Sequence, residues 1–129
     1  MQLSDIPPEK LPEFAEICGI HAGDGWMSSY NTEVGYGTSV KEEQYFDHVF
    51  GLYDDVLDFD GTYQYRIVKR IGKYNCVELR IASKEIQEFF QSVGFPRGSK
   101  CSTVVVPDFI QTNVHFMKSF LRGAFDTDG

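Results

Sequence analysis

Leu121-Arg122-Gly123-Ala124-Phe125-Asp126-Thr127-Asp128-Gly129 repeats, 104 positions on, the pattern of Ile17-Cys18-Gly19-Ile20-His21-Ala22-Gly23-Asp24-Gly25. The alignment sets Gly19 over Gly123, Asp24 over Asp128 and Gly25 over Gly129, and continues upstream to place Ala15 over Ser119. Small residues recur at four-residue steps in both copies, Ala15, Gly19 and Gly23 in one and Ser119, Gly123 and Thr127 in the other. That spacing stacks them on one face of an α-helix. Glycine inside a helix costs roughly 1 kcal/mol relative to alanine, so Gly19 and Gly123 require close backbone approach as their reason. Bulky flanks, Phe14, Ile17 and Ile20 in one copy and Phe116, Phe120 and Leu121 in the other, are expected to seal the seam between two such helices. Each copy closes on an acid followed by glycine, the latter expected as a left-handed helix cap.

The position of those acids is chemically informative. A helix C-terminus carries about half a negative charge, so a carboxylate there is misplaced by roughly 0.3–1 kcal/mol. Two helices paired through their small faces bring two such carboxylates to one place, and a divalent cation reverses the penalty.

In this respect the two segments resemble the LAGLIDADG motif of homing endonucleases. Leu121, Gly123, Asp126, Asp128 and Gly129 are identical to it in the second copy, and Gly19, Asp24 and Gly25 in the first, where His21 and Ala22 depart from it. The resemblance implies an α+β fold, αββαββα with a curved antiparallel sheet, followed by a C-terminal motif helix. It implies a first domain over 1–97, a linker over 98–111, and over 112–129 the opening helix of a second domain. The implied activity is site-specific, metal-dependent phosphodiester hydrolysis on double-stranded DNA, with Asp24 and Asp128 holding Mg²⁺ or Mn²⁺ and the paired motif helices forming an interface. Gly98-Ser99-Lys100 and Val106-Pro107-Asp108-Phe109-Ile110 are similar to the stretch of two-motif members that carries a lysine near the active site. Lys100 is thereby a candidate for polarising the attacking water or stabilising developing charge. Because only half of the recognition sheet falls in this stretch, the cleaving reading stands beside another, a non-cleaving DNA-binding regulator or maturase-like RNA-splicing factor on the same scaffold.

The residues between the motifs suit such a module. Asp5, Pro7 and Pro8 lead to a helix from about Leu11 to Asp24, then Trp26 to Glu33 and Gly35 to Val40 read as strands. Lys41 to Leu57 reads as an amphipathic helix with Tyr45, Val49, Leu52 and Val56 on one stripe. Thr62 to Arg70 and Lys73 to Ile81 flank Ile71-Gly72 as a hairpin, with Val77, Leu79 and Ile81 directed to the core. Ser83 is expected to cap a helix through about Val93 that turns Ile86, Phe89 and Phe90 inward and stops at Gly94 and Pro96. Tyr65, Arg66, Lys69, Arg70, Lys73, Tyr74 and Arg80 concentrate on the second hairpin, the mixture expected of a sheet that meets DNA edges and phosphates.

Composition bounds the rest. The 129 residues, 42% of them hydrophobic, support one core of ordinary size. Three cysteines without CxxC spacing argue against a zinc site and a disulfide framework, which points to a reduced, cytoplasmic setting. No apolar run is long enough for a membrane span. His21, His48 and His115 lack metal spacing, and His21 is expected at an interface or the surface. The acids from Asp54 to Asp60 do not fit a calcium loop, since placing Gly61 at its sixth position puts Val56 first and Ile67 last. Asp126 lies about 200° around the helix from Asp128, which argues against both being primary ligands of one ion. The formal charge of −7 opposes duplex binding unless a local face is basic. Apolar surface around the seam is expected to drive self-association into a homodimer through the motif helices.

Overall fold

The computed structural model describes residues 1–39, 44–57, 64–70, 76–98 and 105–128, with backbone alone at 39, 64–66, 69, 70, 76 and 126–128. Two short 3-10 turns, Leu3–Asp5 and Pro8–Lys10, lead into helix α1, Leu11–Asp24. Pro12 sits in its first turn, where a missing N–H costs nothing, and Glu13 faces the positive end of the dipole. Strand β1, Gly25–Met27, follows directly, then β2, Glu33–Ser39, and helix α2, Tyr45–Val56. A second strand pair, β3, Gln64–Arg70, and β4, Cys76–Ala82, precedes helix α3, Lys84–Ser92. A four-residue turn of helix α4, Asp108–Gln111, and helix α5, Val114–Asp128, complete the described chain.

The fold is α+β: the helices accompany one antiparallel sheet in the order β1-β2-β4-β3. Side chains alternate along a strand, so register decides which face each residue occupies. Val34 pairs with Ile81, Tyr36 with Leu79 and Thr38 with Val77, and the apolar members of this set are buried under the helices. Ile86, Phe89 and Phe90 of α3 are buried on the same side, and the Ser83 hydroxyl accepts from the Ile86 N–H at the helix start. Phe14 of α1 stacks on Phe89 with ring centroids 5.0 Å apart. Each such ring contributes roughly 1.5–3 kcal/mol by leaving water. Ile110 and Phe120 are part of the same core as α1 and the sheet. Among the described residues no helix is long and apolar enough to cross a membrane.

Several local expectations change. The first hairpin joins Met27 to Glu33 by a loop, so Ser28 to Thr32 are not strand. Gly25 is extended, with φ −85° and ψ 158°, and is not a left-handed cap. Glycine is needed there because a Cβ would run into the imidazole and Cα of His21. His21 itself is a core residue, 1% exposed, packed edge-on to Tyr36 and Phe95. In α2 the buried stripe is Phe46, Val49, Tyr53 and Val56, one position round from Tyr45 and Leu52. On this stripe the Tyr53 hydroxyl meets that of Tyr36 in β2. The expected turn at Ile71-Gly72 lies outside the described residues.

Candidate functional site

The packing of α1 on α5 is the most extensive contact between helices, and it is made through glycine. A Cβ at Gly19 would overlap the Phe120 carbonyl oxygen and stand 3.0 Å from the Ala124 nitrogen. A Cβ at Gly123 would overlap the Glu16 carbonyl oxygen and stand 2.9 Å from the Ile20 nitrogen. A shift of 104 positions carries Glu16 onto Phe120 and Ile20 onto Ala124, so each glycine meets the equivalent two atoms of the other helix. Reciprocal contacts of this kind define an approximate two-fold relation between the helices. Ala15 and Ser119, which continue the two small-residue stripes, are buried.

Both helices start at the same end of the pair. Phe109, just ahead of α5, stacks on Phe14 near the start of α1 at 5.6 Å and lies 5.7 Å from Phe116 in the first turn of α5. The helices therefore run in one direction, with Asp24 the last residue of α1 and Asp128 the last of α5. Asp24 is half-buried, while the side chains of Asp126, Thr127 and Asp128 lie outside the described residues. Lys100 and Gly129 also lie outside them. Gly98, with φ +78°, donates its N–H to the Met27 carbonyl at 2.7 Å and so holds the start of the lysine-bearing segment on β1, three residues beyond Asp24. Carboxylates are the hard oxygen donors that Mg²⁺ takes, and two of them leave positions for water and a phosphate oxygen. Among the described residues no group of three acidic, histidine or cysteine side chains could hold a metal, so a site at the helix ends depends on Asp128 joining Asp24.

One flank of the helix pair is polar. The Glu16 carboxylate, 8% exposed, accepts from His48 Nε2 of α2 and lies 3.4 Å from Arg122 Nη1 of α5. It thus ties three helices together beside the glycine crossing. Farther along α1, Glu13 shares a hydrogen bond with Asp55 of α2, and Lys10 pairs with Asp55 at 3.2 Å. That shared bond raises the Glu13 carboxyl above its ordinary range and lowers that of Asp55. The other flank of α5 leaves Val114, Leu121 and Phe125 exposed, so Leu121 does not seal the seam.

The sheet face away from the core is built around one row. Trp26 of β1 pairs with Gly35 of β2, Gly35 with Arg80 of β4, and Arg80 with Arg66 of β3. Gly35 has no side chain to hold the indole off the sheet; a Cβ there would overlap the Trp26 ring. The ring crosses the bare position and meets the Arg80 guanidinium 5.4 Å from its centroid. Nε and Nη2 of Arg80 both donate to Glu78 Oε2, at 2.9 and 2.8 Å, and Nη1 stands 3.8 Å from Glu33. A Cβ at Gly37, in the next row of this face, would meet nothing within 4 Å among the described residues.

Register divides the candidate DNA-contacting residues. Arg66 pairs with Arg80 and Arg70, four residues on, pairs with Cys76, so both share the parity of the outer face. Tyr65 and Lys69 pair with Ile81 and Val77, which have the parity of the core face. Lys73 and Tyr74 lie outside the described residues. Sequence reasoning missed Trp26, Glu33 and Glu78 as neighbours of Arg80. The alternation of Gly35 and Gly37 with buried Val34 and Tyr36 was the available signal, because it marks a strand whose outer face is bare at two successive positions. No protein-family model matches the chain, and no curated protein matches it significantly.

Proposed function

We propose that this chain is a LAGLIDADG-type DNA-binding domain whose paired helices present Asp24 and Asp128 as ligands for Mg²⁺ or Mn²⁺ in phosphodiester hydrolysis. The reciprocal seating of Gly19 and Gly123 carries this reading. Helices that approach to backbone contact and run in one direction end on Asp24 and Asp128 at the same pole of the pair, where a divalent cation would offset the cost of acids at negative dipole ends. The element order αββαββα, with a sheet open on one face, supports it as well.

On this reading the metal supplies Lewis-acid polarisation of a phosphoryl oxygen. The chain's own residues do the rest. Gly19 and Gly123 set the helix separation, Glu16 with His48 and Arg122 fixes how α5 is rotated on α1, and the open sheet face with Arg80 and Arg66 meets duplex DNA. Lys100 is the candidate cation for orienting the attacking water.

The test pairs calorimetric titration of Mn²⁺ with nicking of supercoiled plasmid at low salt. Binding and nicking by the unmodified protein, both lost in Asp24→Asn and in Asp128→Asn, are expected. Mn²⁺ binding unchanged in both variants would remove the shared site, and absence of nicking with duplex binding retained would leave the non-cleaving reading.

A further inference from the structure

A recess of about 490 Å³ lies between the first 3-10 turn, the end of α3 and the segment that leads into α4. Phe109, in its wall, stacks on Phe14 near the start of α1, so the recess is at the opposite pole of the helix pair from Asp24. Its walls are built without help from an occupant. The Gln2 N–H donates to the Asp5 carboxylate at 2.7 Å and fixes the turn, and Gln111 Nε2 donates to the Val106 carbonyl at 2.7 Å and fixes the segment before α4. Gly94, left-handed with φ +113°, ends α3 within the wall, where a Cβ would touch Val105. A preformed cavity of this size is in the range that takes a small molecule.

The charge of the recess is one-sided. Asp108 is the one charged residue that lines it, and among the described residues its carboxylate has no ion pair or hydrogen bond. The C-terminal end of α3 lies in the same wall, and its last turn holds no basic residue to offset about half a negative charge of dipole. An anion would meet two negative sources and no cation. A wholly apolar ligand would strip water from Asp108 and return nothing. An ammonium or amidinium on an apolar body satisfies both features, the charge beside Asp108 and the body against Leu3, Val93, Val106 and Phe109.

We propose that this recess binds a small organic cation, with Asp108 as its counter-ion and the apolar side chains around it holding the ligand's body. The site goes beyond the nuclease reading and does not depend on it. A free ligand is the occupant assigned, because a single lysine or arginine side chain of another protein would leave most of the volume unfilled.

Chemical-shift titration of the isotope-labelled chain with phenethylammonium tests the assignment, with the neutral 2-phenylethanol and the anionic 3-phenylpropionate as matched probes. Saturable shifts confined to the lining residues are expected for the ammonium, with affinity for the alcohol about three- to ten-fold lower and none for the carboxylate. Asp108→Asn is expected to bring the ammonium down to the affinity of the alcohol. Asp47→Asn, which removes one exposed charge from α2 outside the recess, is expected to leave it unchanged. Absence of saturable shifts overturns the proposal, as does equal affinity for ammonium and alcohol. An effect of Asp47→Asn as large as that of Asp108→Asn also overturns it, since the ammonium would then be responding to the chain's net negative charge.

Discussion

Gly19 and Gly123 each stand against the backbone of the other's helix, at atoms that the 104-residue repeat makes equivalent. Neither position has room for a methyl group, although both lie inside helices, where alanine is the better former.

Gly19→Ala should therefore destabilise the chain by about 1–3 kcal/mol, since forced separation of two packed backbones outweighs the helical gain of roughly 1 kcal/mol. Gly51→Ala should have the opposite sign. Gly51 lies in α2 with nothing among the described residues within 4 Å of a Cβ, so the substitution should stabilise by about 0.5–1 kcal/mol. Urea unfolding of both variants measures the pair of effects; equal signs would contradict the packing.

Around Glu16 the two cationic partners should contribute unequally. His48 bonds a carboxylate that is 8% exposed, whereas Arg122 is 62% exposed and 3.4 Å away. His48→Ala should cost about 1–2 kcal/mol and Arg122→Ala about 0.5 kcal/mol. Equilibrium unfolding that reversed this order would shift the main tie of Glu16 from α2 to α5.

The hydrogen bond between Glu13 and Asp55 gives a pH signature. It raises the Glu13 carboxyl above its unfolded value, so the folded chain binds that proton more tightly, and charging Glu13 lowers stability as pH climbs above its range. Glu13→Gln keeps a donor for Asp55 and removes the charge. The variant should be slightly more stable at neutral pH, the effect being small because solvent screens the pair. The advantage should vanish as pH falls through the carboxylate range, where Glu13 is protonated in the original chain. Urea midpoints at neutral and acidic pH check it.

Val114, Leu121 and Phe125 repeat at steps of seven and four residues on one face of α5, and all are exposed. Self-association of the purified chain should rise with concentration and be abolished by Leu121→Glu with Phe125→Glu, as measured by light scattering. Gly19→Leu should unfold the chain before it dissociates anything, because the chain's own α5 covers that seam. A monomer at high concentration would reject association through this face.

Much of the architecture was legible wherever one periodicity dominated. Val77, Leu79 and Ile81 alternate with Glu78 and Arg80, and a strand with that pattern has one way to face a core. Ser83 and the apolar positions after it specify α3 in the same manner. The stripe of α2 was not readable, because Tyr45, Phe46, Val49, Phe50, Leu52, Tyr53 and Val56 offer competing faces. The choice falls to packing against other elements, where the Tyr53 ring meets Tyr36 of β2 and Phe90 of α3. The tie between Glu16 and His48, and the clamp on Arg80 by Trp26, join residues far apart in the chain; no local pattern encodes them. The glycine crossing was accessible from both sides at once, since repetition exposes positions that share a constraint.

Trp26 is the chain's one tryptophan, and it lies on the open sheet face with its indole against a guanidinium. Intrinsic fluorescence excited at the indole band thus originates wholly outside the hydrophobic core. Its intensity and wavelength are an optical record of the Arg80 row, responsive to whatever settles there and silent about the glycine seam until the sheet itself comes apart.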